Sequence, residues 1–313
     1  MDGVRLLELC FGENPIVTEG TTPRAAWKKV LIGAIAPVVF FALAELGFLL
    51  AGLPSTGIYE GDRYTDWRLK GNLDEEVLHG SEDRVFRIRT SESGFRGVSE
   101  EGPVDVVALG CSTTFGWGVE EREAWPEVLE DQTGLSVLNG GVPGHSTHQG
   151  RSVAMELLDL NPRLLVLGWL VRDAQRSSQA DKMARAPRGL RNTRVVRWLS
   201  RSRTAQSGQT AGGERRVSPE DFGANLQSVI DAAKERGIPV LLLQFPMQQV
   251  EPDYQRALQN LGVPVVAPKL AEDAFFPTDP IHLTAGGHRQ LAEALAPSVL
   301  EALSDSGLSG VDG

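Results

Sequence analysis

The longest apolar stretch covers residues 30–53, 24 positions with a single charge, Glu45. As a helix it reaches about 36 Å at 1.5 Å per residue, enough for a hydrocarbon core of about 30 Å. Soluble helices seldom stay apolar on every side for this length. The run is long for a cleaved leader and its 29-residue forerunner is unusual, so an uncleaved transmembrane anchor is expected. Pro37 is tolerated in lipid, and Glu45 is expected either protonated or facing a partner. Arg24, Lys28 and Lys29 precede the run, whereas Arg63, Arg68 and Lys70 follow interleaved with acids. That bias predicts an inside N-terminus and an extracytoplasmic C-terminal body.

Beyond the anchor the pattern changes twice. Residues 54–103 are polar and Gly-rich. Val85-Phe86-Arg87-Ile88-Arg89 alternates like a short strand, and Ser93-Gly94-Phe95-Arg96-Gly97 reads as a turn. This predicts a membrane-proximal β-rich segment packed on the main body. From residue 104 strand and helix alternate. Apolar runs at 104–109, 137–139, 164–167, 240–245 and 263–266 read as buried parallel strands. Between them, Trp125-Pro126 opens a helix that Gly134 ends, a second helix covers 149–160, and Ser218-Pro219-Glu220-Asp221 starts a third that Gly237 stops. The closing helix is expected over 284–303. Such alternation predicts a three-layer α/β/α sandwich with a parallel, flavodoxin-like sheet of about five strands. The expected organisation is a cytoplasmic tail (1–29), the anchor (30–53), the β-rich segment (54–103), the α/β domain (104–303) and a flexible tail (304–313).

Residues 182–216 break the rhythm as an arginine-rich insertion. Arg185, Arg188, Arg191, Arg194 and Arg197 recur at every third position. It is either a solvated basic face or a contact for anionic lipid or an acidic polymer. The whole chain of 313 residues carries a net charge of −10, so nucleic acid is not an expected partner. The two cysteines, Cys10 and Cys111, provide neither a disulfide scaffold nor a Cys-based zinc site. With an anchor between them they lie on opposite sides of a membrane.

Sites in open α/β sheets lie at the carboxyl ends of strands. The first strand leads into Gly110-Cys111-Ser112-Thr113-Thr114-Phe115-Gly116-Trp117-Gly118, the second into Asn139-Gly140-Gly141-Val142-Pro143-Gly144-His145-Ser146, and the third into Gly168-Trp169-Leu170-Val171-Arg172-Asp173. Thr278-Asp279-Pro280-Ile281-His282-Leu283 precedes the last helix. These pieces suit acyl transfer. A serine hydroxyl needs a base, a histidine supplies one near neutral pH, and a carboxylate fixes its tautomer. Asp279 and His282 are expected on a tight turn that points both into one cleft. The backbone amides of Ser112 and Gly144 could receive an oxyanion, each such donor worth about 2.7–4 kcal/mol. Alone, Ser112 is an ordinary turn serine, Asp279 a helix-start residue and His282 a satisfied loop histidine; their joint placement makes the case. His145 and His148 are expected near the cleft, in substrate contact or loop packing. Trp117 and Trp169 either line a pocket or fill the core.

In these blocks the chain resembles the SGNH (GDSL-type) hydrolases over about residues 104–303. It resembles in particular the membrane-anchored bacterial branch, with a Gly-Phe-Arg turn ahead of the domain. Gly110-Cys111-Ser112 matches the nucleophile block Gly-Asp-Ser, Gly144 the second-block oxyanion glycine, and Asp279 with His282 the Asp-x-x-His block. The resemblance implies Ser112 as nucleophile, His282 as base, Asp279 as its partner, and an oxyanion hole from Ser112 and Gly144. Two positions depart from the pattern. Cys111 replaces an aspartate, and Arg172-Asp173 stands where the family has Asn-Asp. Arg172 either donates to the oxyanion, binds an anionic substrate, or turns away to pair with an acid.

The expected function is a membrane-anchored serine esterase at the cytoplasmic membrane with its catalytic domain outside. The resemblance suggests small acyl groups, such as O-acetyl on an envelope glycan. An O-acyltransferase acting on a glycan and a catalytically reduced binding protein of the same fold are the alternatives. No cofactor or metal is expected.

Overall fold

The computed structural model describes residues 23–51, 57–80, 82–97, 102–177, 179–183, 193–196, 213–246 and 251–305. Cys10, the tail at 1–22, most of the arginine-rich insertion and residues 306–313 lie outside them.

Helix α1 (Pro23–Leu50) contains Pro37 and carries the apolar stretch. Its part Gly33–Leu50 has a mean hydropathy of 2.1, and none of it is buried against the protein. By length and composition it can cross a membrane. The Glu45 carboxylate accepts the backbone N–H groups of Arg194 (2.6 Å) and Val195 (3.0 Å) from the insertion. The one charge of the apolar run is thus matched to two peptide donors of its own chain.

Two antiparallel hairpins follow, β1 (Tyr59–Asp62) with β2 (Asp66–Leu69), and β3 (Asp74–His79) with β4 (Arg84–Arg89). Alternation in β4 turns Phe86 and Ile88 inward. There they form a small core with Ile58, Leu69 and Leu73 that also takes in Phe115, a residue of the main domain. The turn after β4 lies along the sheet edge, where Arg96 bridges Asn139. This covers an edge that would otherwise expose unpaired backbone.

The main domain is a five-stranded parallel sheet. Its strands are β5 (Val106–Gly110), β6 (Val137–Gly141), β7 (Leu164–Gly168), β10 (Val240–Leu243) and β11 (Val265–Val266), in the order β11-β10-β7-β5-β6. Every residue of β5, β6, β7 and β10 is buried, which is why, apart from Asn139 of β6, each reads as a short apolar or glycine run without alternation. Between β7 and β10 a two-residue ribbon, β8 (Arg176–Ser177) with β9 (Glu214–Arg215), closes the base of the insertion.

Helices cover both faces. α3 (Trp125–Thr133) packs on the closing helix α8 (Ala285–Asp305), and α4 (Thr147–Leu158) packs on α6 (Pro219–Glu235). Gly134 caps α3 in the left-handed region (φ 70°), and Ser218 caps α6 by accepting the Asp221 amide. A further helix, α7 (Pro252–Gln259), packs on α6. Between β11 and α8 the segment Asp279–Leu283 forms a strand, β13, paired antiparallel with β12 (Phe275–Phe276). The tight turn expected at Asp279–His282 is therefore a short ribbon. It keeps one turn-like feature, because Asp279 Oδ1 accepts the amides of Ile281 (3.0 Å) and His282 (3.2 Å).

Candidate active site

Strand β5 ends at Gly110 and the chain turns at once into α2 (Ser112–Phe115), whose first residue is Ser112. The turn is tight enough to require glycine. A Cβ on Gly110 would stand 2.1 Å from Thr114 Oγ1 and 2.8 Å from the Gly168 carbonyl oxygen. Cys111 is fully buried, with its Sγ 3.3 Å from Thr113 Oγ1. Its thiol is packed inward, away from the serine face.

The ribbon β12–β13 brings His282 to this turn from 170 residues away. His282 Nε2 lies 2.9 Å from Ser112 Oγ, and Nδ1 lies 2.6 Å from Asp279 Oδ2. Burial raises the Asp279 pKa. The hydrogen bond and charge of His282, with the Ile281 and His282 amides, outweigh it and hold the carboxyl well below the usual range. An ionised carboxylate only accepts, so Nδ1 carries the proton. Nε2 is then left with its lone pair facing the serine O–H. Ser112, His282 and Asp279 therefore form a chain of hydroxyl, imidazole and carboxylate, the arrangement that activates a serine.

A second imidazole reaches the same carboxylate. His79, the last residue of β3, places Nε2 3.3 Å from Asp279 Oδ2, and its ring stands edge-on to that of His282 with centroids 5.8 Å apart. His79, Asp279 and His282 offer donor atoms within 4.8 Å of one another, a set able to hold a metal ion. Two ligands of a tetrahedral ion at about 2.0–2.1 Å stand roughly 3.3 Å apart. The 2.6 Å between His282 and Asp279 is instead a proton-sharing distance.

Gly144 lies in the loop after β6 with φ +89°, and a Cβ there would stand 3.1 Å from the Trp67 ring. Both peptides flanking Gly144 are held. Trp67 Nε1 donates to the Pro143 carbonyl (3.2 Å), fixing the peptide plane that carries the Gly144 N–H. Arg216 Nη1 donates to the Gly144 carbonyl (2.8 Å). Arg216 also grips Asp181 through two contacts of 3.0 and 2.8 Å, and Asp181 accepts the Ser146 hydroxyl (2.6 Å). The loop is thus clamped from the β-rich segment on one side and from the end of the insertion on the other.

Arg172 is on α5 (Leu170–Asp173) and donates to Gln175 Oε1 (2.8 Å). Its charge also acts on Tyr59, whose hydroxyl burial pushes up to about 12 against the pull of Arg172. Arg172 does not pair with Asp173. That carboxylate is buried and accepts the Thr147 amide (3.1 Å) and hydroxyl, tying the third block to the start of α4. His145 is loop packing: buried, edge-on to Trp67, with Nε2 2.8 Å from the Trp67 carbonyl. Burial lowers its pKa to about 4. His148 is half-buried near Asp221. Trp117 packs on Phe86 and Phe115, and Trp169 fills the space that Gly150 leaves open.

Four contributors carried no sequence signal of a site role: His79, Trp67, Arg216 and Asp181. Arg96 was visible only as part of the Gly-Phe-Arg turn. Its guanidinium is buried, lies over the Phe115 ring, and donates to the carbonyls of Phe115, Gly116 and Val119 at the end of the nucleophile turn.

The described residues form an α/β/α sandwich on a five-stranded parallel sheet, with a serine after β5 and an Asp-x-x-His segment before the last helix. No family model and no curated protein matches the chain. Among solved structures it is similar to a chain of Desulfitobacterium hafniense DCB-2 assigned to the G-D-S-L lipolytic family. The identity is 15%, the match covers 62% of this chain and 98% of that one, and the TM-score is 0.43. It is also similar to a GDSL-like lipase of Bacteroides thetaiotaomicron VPI-5482 (16%, 63% and 88%, TM-score 0.40). A third likeness is to the acetyl xylan esterase AlAXEase (16%, 63% and 100%, TM-score 0.41). The class of the fold rests on the sheet order and the strand-end groups of this chain itself.

Proposed function

We propose that the chain is a membrane-anchored serine esterase. The observation that carries this reading is the run of contacts from Ser112 Oγ through His282 to Asp279, at 2.9 and 2.6 Å. Ser112 attacks the ester carbonyl while His282 Nε2 takes its proton. The tetrahedral oxyanion is received by the Ser112 and Gly144 amides, the second held in place by Trp67 and Arg216. His282 then returns the proton to the departing alkoxide, and water releases the acyl group by the same steps in reverse roles. Asp279 stays ionised throughout and steadies the imidazolium. Arg172 donates to Gln175 Oε1, and the oxyanion hole in this reading does not include it. Residues 30–53 hold the domain at the membrane, with the catalytic body extracytoplasmic, and a short acyl group on a glycan is the substrate class we favour.

Hydrolysis of a short-chain aryl ester by the full chain in detergent tests this. Ser112→Ala should abolish turnover, and Asp279→Asn should lower kcat about 10⁴-fold, as the wrong imidazole tautomer does in serine hydrolases. Turnover of wild type no faster than Ser112→Ala would refute the reading. Product analysis with an acceptor glycan present distinguishes hydrolysis from acyl transfer.

A further inference from the structure

The β3–β4 hairpin reaches into the catalytic machinery at two neighbouring points. His79 closes on the Asp279 carboxylate, and three residues on, Glu82 accepts both the amide (2.8 Å) and the hydroxyl of Thr278, the residue next to Asp279. The His79 side chain is almost fully buried, and the space for it is built. Gly118 has φ +94°, and a Cβ there would stand 2.7 Å from His79 Cδ2 and 2.8 Å from Phe276. Phe276 lies against the imidazole as well, with ring centroids 5.1 Å apart. Packed against a glycine, a phenylalanine and the catalytic histidine, the imidazole places Nε2 3.3 Å from the Asp279 oxygen that His282 uses.

We infer that His79 is a positioning residue for the esterase reaction, a second imidazole whose Nε2, 3.3 Å from Asp279 Oδ2, holds the carboxylate in the plane His282 requires. This rests on the triad reading above. The 3.3 Å contact is longer than the 2.6 Å bond of His282 and falls outside strict hydrogen-bond alignment. Contacts of this kind are commonly long in a resting enzyme and tighten as charge develops on the base. When His282 becomes an imidazolium its charge draws on the Asp279 carboxylate, and a second imidazole on the same oxygen holds that carboxylate in place and keeps Nε2 aimed at Ser112. The accessory hairpin is then part of the active site, and the main domain alone has an incomplete relay.

Steady-state kinetics on the full chain test this with His79→Phe and His79→Gln. Phenylalanine fills the pocket without a donor, whereas the glutamine amide places an N–H close to the position of Nε2. His79→Phe should lower kcat about 10- to 100-fold with KM unchanged, the range of one lost hydrogen bond to a charged group. His79→Gln should recover kcat to within about 3-fold of wild type at the same melting temperature as His79→Phe. Equal kcat for both variants, or losses that track melting temperature, would overturn the inference and leave His79 a packing residue. Fluorophosphonate labelling separates this outcome from failure of the triad itself. If wild type labels and turns over while His79→Phe behaves identically, only the role of His79 falls. If wild type labels no better than Ser112→Ala, the triad falls.

Discussion

Single residues set the protonation state on which the site depends. Asp279 is held ionised by His282 and two amides, so its carboxylate stays charged on acidification well past the usual carboxylate range. A different histidine sets a stability term. His288 in α8 is buried, and its Nδ1 accepts the Trp125 amide at 3.2 Å, joining the two helices of one face. Burial lowers its pKa to about 3. The unfolded chain takes up this proton near pH 6.5 while the folded chain does not, so the His288 contribution falls as pH drops below about 6.5. Asparagine keeps an acceptor near Nδ1 and does not titrate. In urea unfolding, the stability difference between wild type and His288→Asn should shift by about 2 kcal/mol against wild type between pH 6.5 and pH 5. A difference constant over that range would contradict the neutral, buried assignment.

Elements are positioned by a few residues whose partners are far away in sequence. Arg96 ends the nucleophile turn by donating to three carbonyls, so Arg96→Leu leaves those buried acceptors unpaired. The expected loss is on the order of 3 kcal/mol or more, read by denaturant unfolding, with Ser112 reactivity falling alongside. An unchanged midpoint would show that the turn holds itself. The contrast between what could and could not be read in advance has the same origin. Strands β5 and β7 were legible because both faces are buried and the runs are short and apolar. Gly134 and Gly237 marked helix ends through their left-handed backbone. Ser112, Asp279 and His282 were legible because each sits in a short block at a strand end or before a helix. Helix α7 was not read, since its eight residues bury only Tyr254 and Leu258, a single i, i+4 pair too short to stand out as a stripe. The β12–β13 ribbon resembles a turn in sequence, because Asp279-Pro280 is a turn-like pair and the partner strand has two residues. His79 and Trp67 gave no signal, because their roles arise only when the hairpins dock on the sheet.

At the scale of the molecule, three parts with different chemistry are joined: an apolar helix, two small hairpins and a parallel-sheet domain. The hairpins share a core with Phe115 and bring Trp67 and His79 to the candidate site, so they tie the β-rich segment to its loops. Full-length protein should stay with membranes through alkaline carbonate washing, while a chain lacking residues 1–53 should appear in the supernatant. Release of the full chain would contradict the anchor, and a truncated chain that stays behind would point to a second membrane contact. The most direct test of the central claim is intact-mass and peptide analysis after treatment with a fluorophosphonate. The account predicts one phosphonyl adduct on Ser112, absent in Ser112→Ala and formed far more slowly in His282→Ala. No adduct on wild type, or an adduct formed equally fast without His282, would contradict it.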